Sequence, residues 1–392
     1  MNLLVLIPRV PYPLEKGDKL RAFYQIKELS KYHDIYLVAL QDGALHPDAL
    51  KMIAPFCKEI HLYKLSVFSK ILGIFRAFFT GIPMQCGYFY SNKVKKEIQK
   101  LIHQIFPDHI YCFMIRMAEY VKKNNECHKT LDYQDVLSIG MKRRYEKASF
   151  IKKPIFLYEY KALRRYEKNI FSYFTNKTII TSIDRNLISH PHKEYIHVIQ
   201  NGIDFEKFRY VKTEKKYDLI FAGNMSYPPN IDATQFLVKS IFPKLLEKFP
   251  NLKLCICGVS PAPVIRAMAC DKIHVTGWVD NMAEYYAQSK IFIAPMQLGT
   301  GLQNKLLEAM AMKLPSVTSP LAGKPLEGIT HNTNILICDS VNEYVEAVTK
   351  LLNDNNFYNT IADNGYHFVL ERYDWEEIGK MLEKIMNEDI ID

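Results

Sequence analysis

The 392-residue sequence lacks an apolar run long enough to cross a membrane, which takes roughly 20 residues. The closest, LSVFSKILGIFRAFFTGIP at 65–83, is interrupted by Lys70 and Arg76. The start, MNLLVLIPRV, lacks the basic region and the cleavage site of a signal peptide. The eight cysteines are scattered, and Cys255 and Cys257 have no second Cys or His pair nearby for zinc. We therefore expect reduced thiols and a cytoplasmic location.

Two motifs of nucleotide-dependent enzymes are also absent. The loop IPRVPYPLEKGDKLRAF is not GxGxxG, which argues against a nicotinamide or flavin cofactor. No DxD motif follows a predicted strand. The net charge of +9 is compatible with nucleic acid, an anionic membrane or phosphorylated small molecules as partners. Because the basic residues are dispersed and form no recognised module, we expect no nucleic acid partner.

Short β-rich runs alternate with helical stretches along the whole chain. The runs before residue 185 are LLVLIP, IYLVAL, EIHLY, HIYCF and KTIIT, and those after a polar connector are DLIFAG, LKLCICG, KIHVTGWV, KIFIAPM, LPSVTS and NILICD. This alternation predicts an α/β fold of two Rossmann-like, doubly wound domains that face each other across a cleft. We place the domains at 1–205 and 206–375. The amphipathic helix within 376–392 is expected to pack back on the first domain.

The carboxyl ends of the strands are where such sheets bind ligands, and glycines follow two of the predicted strands. Gly17 in the first domain would let an anion approach the backbone, with Asp18 as the N-cap of the next helix. Gly223 and Asn224 in FAGNMSYPPN occupy the corresponding place in the second domain. An ordinary loop explains the first glycine equally well and explains the second better.

The stretch GTGLQNKLLEAMAMKLPSV predicts a glycine-containing loop and then a helix from about Asn304. Backbone amides at a helix start attract anions, and Lys305 adds a full positive charge there, so a diphosphate would fit. Glu308 shares a helix face with Lys305 and would accept hydrogen bonds from two ribose hydroxyls. An exposed Lys/Glu pair accounts for the spacing equally well.

Taken together, the motifs resemble the family 4 (group 1) glycosyltransferases of the GT-B fold. The resemblance rests on PYPLEKGDKLR, LDYQDV, NGID, FAGNMSYPPN, GWVDNMAEYYAQSKIFIAP, GLQNKLLEAMAMKLPSV and RYDWEEIGK. It implies that Glu308 binds the ribose of a nucleoside diphosphate sugar and that Lys305 binds the diphosphate. The remaining donor-binding positions that it implies are Gly17, Gly223, Asn224, Thr300, Gly301, Leu302 and Gln303.

Two positions depart from the family pattern. Thr300 stands where the family usually has a glutamate on the donor sugar, and the loop of Asn224 lacks the usual Arg or Lys. Lys305 would therefore carry more of the phosphate charge. Arg116 and Asp132, both near predicted strand ends of the first domain, complete the predicted catalytic set with Lys305. Asp132 and Asp135 would bind the acceptor or orient Arg116, although a surface carboxylate explains Asp135 equally well.

The activity that the resemblance implies is that of a hexosyltransferase-type enzyme (EC 2.4) that retains the anomeric configuration and needs no cofactor or metal. It would move a sugar from a nucleoside diphosphate sugar to a hydroxyl of a glycan or lipid-linked acceptor, as surface-polysaccharide sugar transferases do. A nucleotide-sugar epimerase of similar architecture and a catalytically silent nucleotide-sugar-binding subunit stay open as alternatives.

The run at 65–83 is typical of a helix that lies on an anionic membrane, which would make the enzyme peripheral on the inner face. A crossover helix packed on the sheet is the alternative that the fold itself favours. The basic runs KVKKEIQK, MKRRYEK and KALRRYEKN are interpreted as solvated helix faces.

Overall fold

The computed structural model describes residues 1–14, 16–299 and 301–388. The chain divides into two units, one of Met1–Gln200 with Trp375–Asp392 and one of Asn201–Asp374. The boundaries lie at 200/201 and 374/375, where the sequence placed them at 205/206 and 375/376. Each unit is built on a parallel sheet with helices between its strands, which confirms the predicted α/β class.

The first unit contains a seven-stranded parallel sheet with the order β3-β2-β1-β4-β5-β6-β7. Its strands are β1 Asn2–Ile7, β2 Asp34–Gln41, β3 Glu59–Lys64, β4 His109–Phe113, β5 His128–Asp132, β6 Asn176–Ile179 and β7 His197–Val198. Its helices up to residue 200 are α1 Gly17–Leu29, α2 Ala49–Ile53, α3 Val67–Thr80, α4 Met84–Tyr88, α5 Asn92–Ile105, α6 Ala118–Val121, α7 Leu137–Lys147, α8 Lys153–Ile170 and α9 Ser182–Leu187.

The central strand β1 shows how the first sheet is covered. Leu4 and Leu6 belong to one cluster of buried residues, and Leu3, Val5 and Ile7 belong to another. Because successive side chains of a strand point to opposite faces, each face of this sheet has its own apolar core. That double burial is why the strand reads in the sequence as a continuous apolar run.

The second unit contains a six-stranded parallel sheet with the order β10-β9-β8-β11-β12-β13. Its strands are β8 Tyr217–Ala222, β9 Leu254–Cys257, β10 Ile273–Val275, β11 Ser289–Ala294, β12 Ser316–Thr318 and β13 Leu336–Ile337. Its helices are α10 Pro228–Phe236, α11 Phe242–Lys248, α12 Pro263–Arg266, α13 Met282–Ala287, α14 Asn304–Ala311, α15 Pro320–Gly323, α16 Val341–Asn353 and α17 Asn355–Arg372. A π-helical turn, Leu237–Ile241, joins α10 to α11.

The last helix, α18 Trp375–Asn387, belongs to the first unit. The Trp375 ring stacks on Tyr24 of α1 at 5.1 Å between ring centres. A Cβ added to Gly379 would lie only 2.5 Å from Cβ of Glu28, so the two helices approach closely at the glycine. The amphipathic pattern of the terminal segment is explained by this packing.

The order of the strands reverses direction at one place in each sheet, between β1 and β4 in the first and between β8 and β11 in the second. Loops that leave the carboxyl ends of such strand pairs diverge and leave room for a ligand. One helix start differs from the prediction, because α1 begins at Gly17 with Lys16 as its N-cap. Asp18 instead forms an ion pair with Arg9 at 3.1 Å.

Candidate functional site

Two glycines let neighbouring loops approach closely at the carboxyl edge of the second sheet. Gly223, directly after β8, has a φ of 151°, and Gly258, directly after β9, has a φ of 148°. A Cβ on Gly258 would lie 1.7 Å from the carbonyl oxygen of Gly223, and a Cβ on Gly223 would lie 3.3 Å from Nζ of Lys305. Only glycine allows the two loops and the lysine to come this close together.

The ammonium group of Lys305 lies against these loops. Its Nζ donates a hydrogen bond to Oδ1 of Asn230 at 2.5 Å and stands 4.8 Å from the centre of the Phe221 ring. Burial lowers the pKa of Lys305 to about 7, and the nearby Glu308 opposes that shift. The amide of Asn230 is neutral, so it supplies no counter-charge. An anionic ligand at this place would stabilise the charged form of the lysine.

Glu308 lies one helical turn after Lys305 on α14. Its Oε2 accepts a hydrogen bond of 2.9 Å from the hydroxyl of Tyr286, a residue of α13 that is fully buried. Burial raises the pKa of Glu308, and the Tyr286 hydroxyl, Lys207 and Lys305 oppose the shift. A carboxylate held in this way keeps lone pairs for further donors, such as a pair of hydroxyl groups.

The start of α14 is arranged as a binding site for an anion would be. The helix begins at Asn304 after Gln303, and Gly301 in the preceding loop has a φ of 70°. The first backbone amides of a helix have no hydrogen-bond partner within the helix. In α14 these amides follow Leu302 and Gln303, and they are the groups to which an anion would bind. Asn201 donates to Oδ1 of Asn304 at 3.2 Å and so fixes the helix start. Thr300 lies outside the described residues.

The side chain of Asn224 is used within its own loop. Its Oδ1 accepts hydrogen bonds from the backbone nitrogen and the hydroxyl of Ser226, at 2.9 and 2.7 Å. Its carbonyl oxygen accepts from Nδ2 of Asn230 at 2.8 Å, so the amide of Asn230 connects this loop to Lys305. A direct contact of Asn224 with a donor stays a prediction.

A cavity of about 440 Å³ continues this edge of the sheet beyond Gly258. Its lining includes Val259, Ser260, Arg266, Thr276, Gly277 and Trp278. The hydroxyl of Thr276 accepts a hydrogen bond from the backbone nitrogen of Gly258 at 3.1 Å. The cavity wall is therefore hydrogen-bonded to Gly258, the glycine that packs on Gly223. It lies at the same carboxyl edge of the sheet as Lys305.

In the first unit, Arg116 lies in a short turn after β4. It donates to Oε1 of Gln85 at 2.7 Å, and its guanidinium group stands 5.4 Å from the centre of the Phe89 ring. Burial lowers the pKa of Arg116. Arg9, which follows β1, stands 5.7 Å from the same ring. Two guanidinium groups therefore share one aromatic ring at the place where the strand order reverses.

Asp135, in the next loop along the sheet, contributes a carboxylate to this region. Burial raises its pKa to about 6, and Asp184 adds to the shift while Arg116 opposes it. Met114 and Gln134, in the loops after β4 and β5, have φ angles of 66° and 65°, which is a strained conformation for residues with side chains.

Asp132 has a different place from the one expected of a catalytic residue. Its Oδ2 accepts hydrogen bonds from Arg21 at 2.7 Å, from Gln25 at 3.0 Å and from the Tyr111 hydroxyl at 3.0 Å. Asp132 and Arg21 have no exposed surface. The structure thus gives Asp132 no surface for an acceptor, and its role is to hold Arg21 inside the unit.

The other predicted position in the first unit is Gly17. It is exposed at the start of α1, and a Cβ added to it would meet nothing within 4 Å. Its backbone is open to an approaching group, but no close contact requires a glycine there. In the part of the chain that the structure describes, no group of three or more His, Cys, Asp or Glu side chains is arranged to hold a metal ion.

Solved structures of glycosyltransferases match the fold over nearly the whole chain. The structure of Anabaena HepE in complex with UDP and glucose matches at a TM-score of 0.69 and 14% identity, over 99% of this chain and 100% of that one. TarM, which is known from S. aureus, matches at a TM-score of 0.71 and 12% identity, over 99% of each chain. The fold is the two-domain GT-B class, as the resemblance implied.

The sequence comparisons add a family match for part of the chain. Residues 216–354, within the second unit, match the family described as Glycosyl transferases group 1. The capsular polysaccharide biosynthesis glycosyltransferase CapM of Staphylococcus aureus is 25% identical over 206 residues, which are 48% of this chain and 54% of CapM. The chain thus spans about half the length of that relative. These matches confirm the resemblance to group 1 glycosyltransferases.

Proposed function

We propose that this chain is a retaining glycosyltransferase that moves a sugar from a nucleoside diphosphate sugar to a hydroxyl of a glycan or lipid-linked acceptor, in the synthesis of a cell-surface polysaccharide. One observation carries the proposal. Lys305 and Glu308 lie one turn apart on α14, and the ammonium of Lys305 lies beside Gly223, whose lack of a side chain leaves the backbone accessible. CapM, whose name refers to capsular polysaccharide, supports the surface-polysaccharide role.

In this proposal the residues at the start of α14 act on the leaving group. The bond from the anomeric carbon to the diphosphate breaks as the bond to the acceptor oxygen forms, and negative charge develops on the diphosphate. The proton of the acceptor hydroxyl passes to an oxygen of the departing diphosphate. The amides of Leu302 and Gln303, the helix dipole and the ammonium of Lys305 would stabilise that charge without a metal ion. Glu308, held by Tyr286, would accept hydrogen bonds from the ribose.

The nucleobase would then occupy the cavity beside Trp278. This cavity adjoins Gly258, and Gly258 packs on Gly223 next to the ammonium of Lys305. A flat base between an indole ring and the backbone of Val259 would bury apolar surface, while the diphosphate reached Lys305 along the glycines. In the first unit, Arg116, Arg9 and Asp135 are the groups that would meet the acceptor.

Two measurements test the donor site. A thermal-shift screen with UDP, GDP, ADP, CDP and TDP should raise the melting temperature with at least one of them, because a bound ligand stabilises the fold by mass action. Lys305→Met and Glu308→Gln should reduce that shift. Lys313→Met is the matched control, since Lys313 pairs with Asp363 on the surface. A shift of the same size as in the wild type in both site variants would refute the assignment.

The reaction itself is tested with the labelled nucleotide sugar that the screen selects and a membrane lipid extract as acceptor. A labelled glycolipid with unchanged anomeric configuration is the expected product. An epimerised sugar nucleotide formed without acceptor would instead identify an epimerase. Tight binding with no product from any sugar nucleotide or extract would identify a binding subunit.

We also propose that the enzyme is peripheral on the inner face of a membrane. Among the described helices, none is long and apolar enough to cross a bilayer. Helix α3, however, exposes a continuous apolar stripe made of Val67, Phe68, Ile71, Leu72, Phe75, Phe78 and Phe79. Its buried residues are Gly73 and Ala77, which pack on α4. An exposed stripe of this kind is typical of helices that lie in the headgroup region of a bilayer.

The membrane proposal is tested by flotation of the full chain with vesicles. Phe75→Ser/Phe79→Ser should weaken binding, because both rings are exposed in solution and would be buried in the bilayer. Tyr195→Ser is the matched control, since Tyr195 is an exposed aromatic residue of the same unit outside α3. Equal flotation of all three proteins would contradict a role for α3.

A further inference from the structure

The turn that joins α7 to α8 has an unusual composition. Its backbone is closed by a hydrogen bond of 3.0 Å from the nitrogen of Lys152 to the carbonyl oxygen of Ser149. The two central residues are Phe150 and Ile151, which are 89% and 84% exposed. Central positions of tight turns normally hold Gly, Pro, Asn, Asp or Ser, because they face water. Exposure of two large apolar side chains to water at this tip is unfavourable, so the tip would be stabilised by contact with an apolar partner.

The apolar surface continues from the tip to α3. Ile155, in the first turn of α8, is exposed, and Tyr158 follows it one turn later. The Tyr158 ring stands 5.2 Å from that of Phe78 on α3, and its hydroxyl donates to the carbonyl oxygen of Phe78 at 3.1 Å. At 1.5 Å per residue, Tyr158 lies about 8 Å along the axis from the start of α8. The tip and the apolar stripe of α3 are thus neighbours within the first unit.

Basic side chains surround the tip. The only acidic residue in 141–153 is Glu146, whereas the basic residues there are Lys142, Arg143, Arg144, Lys147, Lys152 and Lys153. We call these six the basic collar. All except Lys153, which is partly buried, are exposed.

The basic residues of α3 are used differently. Lys70 forms an ion pair with Asp42. The guanidinium group of Arg76 stands 4.1 Å from the centre of the Tyr90 ring and 4.0 Å from a carboxylate oxygen of Glu119. Both side chains are therefore engaged with the protein. The basic collar adds further positive charge on the α7–α8 hairpin, where Lys142 stands 4.0 Å from Glu146 and Lys153 stands 5.7 Å from the centre of the Tyr145 ring.

We propose that the α7–α8 tip is a second membrane anchor, which inserts Phe150 and Ile151 among the headgroups of an anionic bilayer while the basic collar binds lipid phosphates. The proposal rests on the proposed membrane association through α3 and adds a separate contact to it. Charge decides between possible occupants of the tip. A second copy of this chain would bring the same basic collar against itself, whereas an anionic lipid surface is complementary to it.

The experiment compares flotation of the full chain on phosphatidylcholine vesicles with and without about 30% phosphatidylglycerol, a fraction at which surface charge attracts basic segments. Phe150→Ser/Ile151→Ser should weaken binding to the anionic vesicles by about tenfold or more, because two apolar side chains no longer leave water. Lys147→Ala/Lys152→Ala should weaken binding to anionic vesicles only. Tyr195→Ser should bind like the wild type.

A second readout does not depend on the loss of binding. Phe150→Trp keeps an aromatic residue at the tip, and its added fluorescence should shift to shorter wavelength and be quenched by brominated lipid when anionic vesicles are present. The same variant in lipid-free buffer, with its background from Trp278 and Trp375, is the reference. An unchanged spectrum with vesicles bound would overturn the insertion of the tip.

The outcomes separate this proposal from the one it rests on. If the tip variant floats like the wild type while Phe75→Ser/Phe79→Ser does not, the tip anchor is refuted and the α3 contact stands. If the wild type does not float at all, both membrane contacts are refuted, while the donor-site tests are unaffected. If the tip variant instead converts a dimer to a monomer in solution and still floats, the occupant of the tip is a second copy and the proposal is overturned.

Discussion

Lys305 donates a hydrogen bond to Asn230, and the two residues are 75 positions apart in the sequence. Nδ2 of Asn230 donates in turn to the carbonyl oxygen of Asn224, so one amide holds both the lysine and the loop after β8. Asn230 is almost fully buried in the first turns of α10. The position of the ammonium is therefore set by a residue that need not touch a ligand.

The affinity for a nucleoside diphosphate should depend on pH through Lys305. Burial lowers the pKa of Lys305 to about 7, so the empty protein loses this charge as the pH rises above neutral. Binding of an anion restores the charge, so the dissociation constant for UDP should rise up to about tenfold per pH unit between pH 7 and 9. Titration calorimetry at these pH values, in buffers of different ionisation enthalpy, should also detect proton uptake.

The variant Lys305→Met provides the comparison for this pH effect. It should bind UDP about 10 to 100 times more weakly at pH 7 because a charged partner of the diphosphate is gone. Its affinity should vary less between pH 7 and 9 than that of the wild type. A wild-type affinity that stays constant over this range would show that Lys305 does not meet the diphosphate.

The pair Glu308 and Tyr286 should act together on the ribose. Tyr286→Phe removes the hydroxyl that holds Oε2 of Glu308, and we expect UDP to bind roughly 3 to 10 times more weakly. Glu308→Gln should weaken UDP binding by about tenfold or more, but it should have little effect on 2′,3′-dideoxy-UDP, which lacks both hydroxyls. An equal loss of affinity for both nucleotides would place Glu308 away from the ribose.

Gly258, directly after β9, and Gly17, at the start of α1, should differ in their tolerance of a side chain. Gly258→Ala should destabilise the second unit by at least about 2 kcal/mol, because its Cβ would collide with the carbonyl of Gly223 and its φ is positive. Gly17→Ala should change stability by less than about 0.5 kcal/mol, since nothing lies near the added carbon. Urea unfolding of the two variants measures both effects, and similar stabilities would contradict the described geometry.

Two Asp→Asn variants in the first unit should change stability in opposite directions. Asp132→Asn should cost about 3 kcal/mol or more, because the buried Arg21 would lose its counter-charge. Asp135→Asn should stabilise the fold by about 1 to 3 kcal/mol at pH 7, because burial disfavours the ionised carboxylate.

The stabilising effect of Asp135→Asn at pH 7 follows from the raised pKa of Asp135. Below about pH 4 the carboxyl is protonated in the folded and the unfolded chain, and its full contribution to stability is present. As the pH rises, the unfolded chain releases the proton of this carboxyl first, and the folded protein releases it only near pH 6. The contribution to stability is therefore lost as the pH rises through about 6. The advantage of Asp135→Asn should therefore disappear near pH 4 in urea titrations, and an advantage that persists there would contradict the assigned cause.

Most of the fold could be predicted from the sequence because strands of a parallel sheet that are buried on both faces consist of short apolar runs. Every run named in the sequence analysis overlaps a strand of the structure, including LKLCICG at β9 and KIFIAPM at β11. The strand β7, by contrast, has only two residues, His197 and Val198, and offers no pattern. The amphipathic helix α14 was predicted to begin near Asn304, where it does begin.

The contacts between distant residues could not be predicted in the same way. Spacing placed Lys305 and Glu308 on one helix face, but their partners Asn230 and Tyr286 come from other helices and only the folded sheet brings them near. Spacing also gave no sign that Asp132 is enclosed with Arg21, since the two are 111 positions apart. The basic run MKRRYEK indicates no more than a solvated helix face, and the apolar tip beside it belongs to no periodic pattern that would have marked it.

The return of the last helix to the first unit has a consequence for how the chain is made. Trp375 of α18 stacks on Tyr24, and Ile378, Leu382, Ile385 and Met386 of the same helix are buried beside it. These five residues complete a core whose other residues are synthesised before residue 200. The second unit, by contrast, is one uninterrupted segment. During translation the first unit therefore cannot complete its core, and one side of α1 stays uncovered, until the ribosome has synthesised the whole second unit and then α18.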